Sequence, residues 1–297
     1  MKYMLFLIAA FVPFSGVAMA QSGRVIHHER SLYRNIVVTD EGDRICMAFT
    51  LHERIRNWQS CMDKRDPDRL LFHYARMVMS GLLLDSQPQR ILIAGLGGAS
   101  LPRVLHDLYP QARIDIAEID PAVVRMAKKY FDFEEGGPVH VIVKDARVHV
   151  RRSLARGEHY DFIILDAFTG DYIPEHLMTL EFLEECRRLL ADNGVLVANT
   201  FSSSKLYDSE SVTYQKAFGW FLNMRQPGGN RVIITRRGAE VNVDDLRHRL
   251  ADFKPDVAQF GVDMKHNLSL ITLRPDWDPH APVLTDQYAP VNLLNGR

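Results

Sequence analysis

The sequence has almost no net charge, since 36 basic side chains balance 37 acidic ones. It therefore gives no reason to expect a polyanion such as nucleic acid as a partner. C-x-x-C and H-E-x-x-H patterns are absent, and the 12 histidines show no ligand spacing, so we predict no structural or catalytic metal. One basic run falls at helical spacing and indicates a solvated helix face: Arg147, Arg151, Arg152 and Arg156.

Cysteine is scarce, with three residues in 297. The first 20 residues combine an early lysine, an apolar core and an A-x-A end, so we predict a secretory signal peptide cleaved after Ala20. An uncleaved membrane anchor is the alternative. An exported protein, periplasmic or secreted, can keep a disulfide. Cys46 with Cys61 is the plausible pair because both fall in the N-terminal region, but three buried thiols are an open alternative, since connectivity cannot be read from sequence.

Residues 90–120 predict a strand, a glycine-rich turn, a helix and a second strand. A short apolar run, typical of a parallel strand buried on both faces, leads directly into Gly95 and Gly97. Bare backbone and a helix N-terminus then face whatever lies above the strand. Glu118 follows Gly95 by 23 residues, the separation at which an acid ending the second strand reaches ribose hydroxyls. This stretch therefore predicts a nucleoside site.

Alternating strands and helices organise the rest of the chain. After the second strand, further strands are predicted at 139–143, 162–165, 195–200, 231–235 and 268–273, with helices between them, including 211–221 and 243–253. Before residue 85, the pattern predicts a hairpin within 24–49, an extended piece at 54–59 and a helix at 70–84. We therefore expect an α/β protein with a doubly wound sheet after a small N-terminal β region.

The predicted division has three parts: a signal peptide at 1–20, a hairpin region with its linking helix at 21–84, and the main domain at 85–297. Three acids follow strands of that domain, namely Glu118, Asp145 and Asp166. Each alone could be an N-cap of the next helix. Together, around one glycine turn, they indicate a ligand site. A nicotinamide site is the rival, but Ser100 replaces the last glycine of G-x-G-x-x-G and two of the acids would have no task.

Four motifs resemble the spermidine synthase (polyamine aminopropyltransferase) family: residues 95–98 (GLGG), 117–120 (AEID), 144–146 (KDA) and 165–171 (LDAFTGD). Residues 59–62, 66–67 and 284–291 are similar to its divergent bacterial members. The resemblance covers most of the mature chain. It implies a methyltransferase-like, Rossmann-type domain that moves an aminopropyl group from decarboxylated S-adenosylmethionine to an amine. The expected alternatives are an exported nucleoside- or polyamine-binding protein without catalysis and an S-adenosylmethionine-dependent methyltransferase.

The resemblance also implies roles for individual residues. Glu118 would bind the ribose of the donor, Asp145 with Ala146 its adenine, and Asp166 would be the general base. The glycine turn, through Gly95 and Gly97, would face the same nucleoside. The amine would contact Gln59, Tyr74 and Asp171. No cofactor is bound permanently under this hypothesis, since the S-adenosyl compound is a co-substrate. We expect no membrane partner once the leader is removed, with a homodimer as a further option.

Several positions depart from the family pattern. Synthases of the family have an aspartate in the glycine loop and a second acid in the gate loop, where this sequence has Gly98 and Thr169. Their early glutamine near the nucleoside corresponds to Arg34. The nucleoside half of the site is thus kept, whereas the amine half has lost acids. The gate loop, residues 166–176, is longer than an ordinary strand-to-helix connection and is predicted to close over the site.

Overall fold

The computed structural model describes residues 23–49, 58–169, 172–226, 229–272 and 274–290. The predicted signal peptide and Asp171 lie outside these ranges. Within them the small sheet has four strands: β1 (Arg24–Arg30), β2 (Asn35–Asp40), β3 (Arg44–Phe49) and β4 (Trp58–Asp63). The large sheet has eight: β5 (Arg90–Ala94), β6 (Arg113–Glu118), β7 (Val139–Val143), β8 (Tyr160–Leu165), β9 (Leu190–Phe201), β10 (Leu222–Arg225), β11 (Asn230–Arg236) and β12 (Ile271–Thr272).

The helices found in the described ranges are α1 (His73–Val78), α2 (Ser100–Leu108), α3 (Pro121–Tyr130), α4 (Ala146–Ala155), α5 (Leu180–Leu189), α6 (Tyr207–Phe218), α7 (Val243–Ala251) and α8 (Met264–Ser269). Three 3-10 helices add to them: Met79–Leu83, Glu175–Leu177 and Ala258–Phe260. Among these described residues, none of the helices has both the length and the apolar character that a bilayer crossing needs. Helix α1 packs against β9 and β11. The domain boundary at residue 84 stays a prediction.

Sheet order explains where a ligand can bind. The strands lie in the order β12-β10-β11-β9-β8-β5-β6-β7, and the five strands from β9 to β7 run parallel. The chain leaves β5 for β6 and β7 on one side, then returns to β8 and β9 on the other. Between β5 and β8 the winding therefore reverses, and a crevice opens at the carboxyl ends of the two strands. This confirms the predicted doubly wound, methyltransferase-like sheet.

Successive side chains of β5 pack into opposite layers, because side chains alternate across a strand. Ile91 and Ile93 belong to an apolar cluster with α2 and α3, whereas Leu92 and Ala94 belong to a cluster with α4 and α5. All four are at most 2% exposed. The apolar run that predicted a doubly buried strand thus fills two cores at once.

The last third of the chain differs from the prediction. Strand β10 was missed, and it forms an antiparallel pair with β11, which is itself antiparallel to β9. The strand predicted at 268–273 is confirmed only at Ile271–Thr272 among the residues described in this stretch. Helix α8 occupies its first part, capped by Asp263 and packed inward through Leu268, and only the two residues of β12 are extended. Local apolar patterns could not separate a short helix from a strand here.

The predicted solvated basic face of α4 is wrong for Arg147, which is buried. Its side chain is 7% exposed and donates to both carboxylate oxygens of Glu185 and of Asp286. It also donates to the carbonyl of His176. Arg151 joins the same glutamate at 2.9 Å. A buried guanidinium needs such bidentate partners, and they connect α4, α5, the gate loop and the segment after β12.

The small sheet confirms the predicted hairpin, as β2 and β3 pair antiparallel around the turn at 41–43. The extended piece predicted at 54–59 lies mostly outside the described residues, and β4 begins at Trp58. Strands β3 and β4 pair so that Cys46 stands opposite Cys61, and the two form a disulfide. The plausible pairing that the sequence left open is thus the one formed, with Cys186 left as a buried thiol.

Replacing both Cys46 and Cys61 by alanine should lower the free energy of unfolding by about 3 kcal/mol, the scale for a crosslink that closes a loop of this length. The crosslinked residues are 15 apart in sequence. Urea denaturation of the oxidised wild type and the double variant measures the difference. Reductant should weaken the wild type and leave the double variant unchanged. Equal midpoints for the oxidised and reduced wild type would contradict a stabilising disulfide.

Candidate active site

A cavity of about 570 Å³ opens at the carboxyl ends of β5, β6 and β8, under the small sheet. Eight of the nine residues predicted for the site line it: Gln59, Tyr74, Gly95, Gly97, Glu118, Asp145, Ala146 and Asp166. The ninth, Asp171, lies outside the described residues. Residues at the ends of four parallel strands, β5 to β8, therefore converge with α1 and β4 on one space, as the sequence predicted for the strand ends.

The glycine turn brings two strand ends close together. Gly95 has a φ of +97° and Gly97 a φ of +55°, which side chains rarely adopt. A β-carbon at Gly95 would lie 2.3 Å from the carbonyl oxygen of Asp166. The amide of Gly95 donates to the carbonyl of Ala117 on the other side. Glycine is thus required because β6 and β8 both approach the turn at this point.

Glu118 is fixed against the glycine turn. One carboxylate oxygen accepts from the amide of Leu96 at 3.0 Å, and the other accepts from the amide of Asp120 at 2.8 Å. The side chain is 5% exposed, and burial raises its pKa although these amides and Arg34 oppose the shift. Each oxygen keeps a further lone pair, so the carboxylate can still accept from two hydroxyls, as a ribose would require.

Asp145 has two partners. One oxygen caps α4 by accepting from the amide of Val148, and the other lies 2.7 Å from Nε2 of His176 in the gate loop. Burial raises the pKa of Asp145, but the contacts with His176 and the backbone outweigh it, so the pKa lies below its ordinary value. The N-cap alternative is therefore true of this residue as well, although Asp145 also lines the cavity.

Asp166 ends β8 at the floor of the cavity. The amide nitrogen of Asn199 donates to its Oδ1 at 2.8 Å, and the hydroxyl of Tyr74 also donates to this carboxyl. Burial raises the pKa of Asp166 to about 7, while these two donors act in the opposite direction. Burial and the neighbouring carboxylate raise the pKa of Tyr74 well above its ordinary value, so the phenol stays protonated. A carboxyl poised near neutrality can take a proton from a substrate.

The structure explains two positions at which this sequence departs from the family pattern, Gly98 and Thr169. The amide of Gly98 donates to Oγ of Ser60, and a β-carbon at Gly98 would lie 2.8 Å from the ring of Phe131 and 2.9 Å from Cβ of Ser60. An aspartate side chain does not fit there. Thr169 closes a turn, since its amide and hydroxyl both donate to the carbonyl of Tyr172 at 2.9 and 3.1 Å.

Arg34, at the position of the family's glutamine, joins the small sheet to the cavity. Its guanidinium lies 4.4 Å from the ring centre of Phe49 and donates to the carbonyl of Phe168 in the gate loop. Nε is 3.6 Å from a carboxylate oxygen of Asp120. The side chain is 10% exposed, so this cation is held between an aromatic face, the gate loop and an acid. It brings positive charge beside the buried Glu118.

Three residues that hydrogen-bond to the glycine turn or to a predicted site residue were not predicted from the sequence: Ser60, His176 and Asn199. Only Asn199 left a signal, because it is an amide within the otherwise apolar run of β9. Ser60 and His176 reach the site through contacts 38 and 31 residues apart in sequence, which no local pattern encodes.

The fold and cavity together define a methyltransferase-like α/β protein with a small antiparallel sheet over its ligand crevice. The family model for the spermine/spermidine synthase domain matches residues 71–219. A polyamine aminopropyltransferase of Vibrio vulnificus is 47% identical over 274 residues, covering 91% of each chain. The chain belongs to the spermine/spermidine synthase family.

Solved structures agree in fold. A probable spermidine synthase from Corynebacterium glutamicum matches with a TM-score of 0.63 at 22% identity, over 86% of this chain and 98% of that chain. A spermidine synthase in complex with the transition-state analogue AdoDATO matches with a TM-score of 0.60 at 20% identity, over 84% of this chain and 85% of that one. The predicted family and fold class are thereby confirmed.

Replacing Gly98 by alanine should lower the free energy of unfolding by about 1–3 kcal/mol, because the added methyl group overpacks a filled space. Urea denaturation measures this loss. Removing one neighbour in the background variant Ser60→Gly should reduce the cost of Gly98→Ala, so a double-mutant cycle should give a favourable coupling. Strictly additive effects would mean that Ser60 does not limit the space at residue 98.

Proposed function

We propose that this protein transfers an aminopropyl group from decarboxylated S-adenosylmethionine to an amine. The observation that supports it most is Asp166, a carboxyl with a pKa of about 7 at the floor of the cavity that Glu118 and Asp145 also line. The spermidine synthase solved with AdoDATO shares this fold. The polyamine aminopropyltransferase of Vibrio vulnificus shares nearly half of the aligned residues.

The nucleoside half of the cavity would hold the donor as a co-substrate, not as a permanent cofactor. Glu118 would accept from the ribose hydroxyls, Asp145 from the exocyclic amine of adenine, and Ala146 would lie against the base. Gly95 and Gly97 let the donor approach the backbone closely. These roles agree with the buried, fixed carboxylate of Glu118 and with the position of Asp145 in the cavity wall.

The reaction needs a neutral amine nitrogen. A primary amine with a pKa of about 10.4 is about 99.9% protonated at pH 7, and exposing its lone pair costs about 4 to 5 kcal/mol. Asp166 would take that proton. The nitrogen then attacks the carbon next to the sulfonium, the carbon–sulfur bond breaks, and its electron pair goes to sulfur, which leaves as a neutral thioether. Asp166 finally returns the proton to solvent. Alignment of nitrogen, carbon and sulfur in the cavity supplies the rest.

The amine half of the site would use Gln59, Tyr74 and Asp171. Tyr74 already donates to Asp166, and Gln59 lines the same cavity. The family acids at Gly98 and Thr169 are missing, so Asp171 would be the carboxylate that meets the distal ammonium. Export with a leader of residues 1–20 is part of this proposal. The Cys46–Cys61 disulfide supports it, since disulfides persist in oxidising compartments, and the mass of the mature chain checks cleavage.

Asp166→Asn should lower turnover by about 10²- to 10⁴-fold, the usual contribution of a general base, with little effect on nucleoside affinity. Glu118→Gln is the matched variant and should weaken binding of methylthioadenosine by about tenfold or more, the scale of a charged hydrogen bond. Calorimetry with methylthioadenosine and an assay with putrescine and labelled donor separate the two effects.

The outcomes distinguish the competing functions. Absence of methylthioadenosine binding at millimolar concentration would rule out the nucleoside site and with it the enzyme. Binding without turnover of any amine would favour an exported, non-catalytic binding protein. Methyl transfer from S-adenosylmethionine in the same assay would identify the methyltransferase alternative.

Asp171→Asn should weaken amine binding by about tenfold or more and leave nucleoside affinity nearly unchanged, because only the distal ammonium would lose a charged partner. The dissociation constants of putrescine and of methylthioadenosine, measured on the same protein, test this. Equal losses for both ligands would mean that Asp171 only supports the gate loop.

A further inference from the structure

Two asparagines form a ladder that ends on Asp166. Asn199 of β9 is 3% exposed, and its Nδ2 donates to Oδ1 of Asp166 at 2.8 Å. Asn230 of β11 donates from its own Nδ2 to Oδ1 of Asn199 at 3.0 Å. Both asparagines line the cavity. The ladder therefore runs along the cavity wall from the antiparallel strand β11 to the end of β8.

Strand pairing brings the two amides together. In the β9–β11 register, Asn199 stands opposite Val232 and Asn230 stands opposite Phe201. Residues 199 and 201 share one face of β9, as 230 and 232 share one face of β11, so the two asparagines are diagonal neighbours on the same face. Their contact is thus set by the backbone register.

The chemistry fixes the direction of the ladder. An ionised carboxylate only accepts hydrogen bonds, whereas an asparagine side chain has an accepting end and a donating end. Asn230 donates to the accepting end of Asn199, which leaves the donating end of Asn199 for Asp166. Without Asn230, the amide of Asn199 could turn over and present an oxygen to the carboxylate.

We propose that Asn199 is a positioning residue for Asp166, and that Asn230 acts through Asn199 by holding its amide nitrogen toward the carboxylate. The proposal rests on the proposed function, in which Asp166 is the base. A base must keep its carboxylate oriented and ionised, and the ladder supplies a donor with one fixed direction from a buried strand.

Other titratable side chains line a cavity with Asp166 or Asn199: Tyr74 on α1 and Glu118 on β6 in the large cavity, and Glu210 on α6, the partner of Arg231, in a small one. Tyr74 donates to the same carboxyl. Glu210 lines a cavity of about 20 Å³ with Asn199 and pairs with Arg231 at 3.3 Å, but burial raises the pKa of Glu210 to about 7, so it titrates in the same range as Asp166. Burial raises the pKa of Asp166 to about 7, and the donor on Asn199 opposes this. Loss of that donor should therefore raise the pKa further.

The sign of the pH effect follows. Asp166 acts as a base only when it is ionised, above its pKa. A higher pKa moves the acidic limb of the pH–rate profile upward, so activity is lost near pH 7 and recovers in alkaline solution. The expected displacement for Asn199→Leu is about one pH unit or more, the scale of a hydrogen bond to a charged group.

The experiment compares Asn199→Leu, Asn230→Leu and the double variant. Infrared titration follows the ionisation of Asp166 in each variant without any turnover. The spectra of the same variant carrying Asp166→Asn are subtracted, so that only this carboxyl contributes. The kcat profile with donor and amine is the second measurement. Asn230→Leu should move both the infrared titration of Asp166 and the acidic limb of the kcat profile to higher pH, by a smaller amount than Asn199→Leu. The double variant should match Asn199→Leu alone, and Asn199→Gln, which keeps an amide, should restore part of the loss.

An unchanged Asp166 titration in Asn199→Leu would overturn the proposal. Additive effects of the two leucine variants would overturn the ladder, because Asn230 would then act independently of Asn199. A uniform fall in kcat at every pH would indicate a structural role only. If no amine is turned over by any protein, the infrared titration still decides whether Asn199 controls Asp166, so failure of the proposed function stays separate.

Discussion

Parallel pairing on both sides of β5 is the constraint on which the site depends. Ala94 pairs with Ala117 of β6 and with Leu165 of β8, so the residues that follow these strands emerge side by side. Gly95 then has only the space that a hydrogen side chain needs, because the carbonyl of Asp166 lies against it. The glycine turn and the candidate base are thus held by one set of backbone hydrogen bonds, and neither can move far without the other.

Local sequence was sufficient for the parts of the site that this pairing creates. An acid directly after a parallel strand must appear at the carboxyl edge of the sheet, so Glu118, Asp145 and Asp166 could be placed without a structure. Contacts between distant elements were not predictable in the same way. Arg34 reaches the gate loop 134 residues away, and His176 meets Asp145 only because the loop folds back over α4. The short strand β10 was missed for a related reason, since its partner β11 determines its conformation.

The raised pKa of Asp166 lowers the stability of the folded protein at neutral pH. Asp166 has a folded-state pKa of about 7 against an ordinary value of 3.8, so the folded protein holds its proton more tightly than the unfolded chain does. Stability from this group is present at low pH and is lost as the pH rises from the ordinary value to about 7. A half-buried carboxyl whose ionised form is disfavoured is what a base near neutrality requires. The surrounding packed sheet compensates for it, and the ordered donors around Asp166 limit the loss.

The contact between Ser60 and Gly98 has a consequence for the history of the protein. The small sheet occupies the space that an acidic side chain at position 98 would need, with Phe131 on the other side. A single substitution therefore cannot restore the family's acid. An acid at residue 98 would need accommodating changes at Ser60 on the small sheet and at Phe131, which directly follows α3. Under the proposed function, recognition of the amine therefore falls to other parts of the cavity.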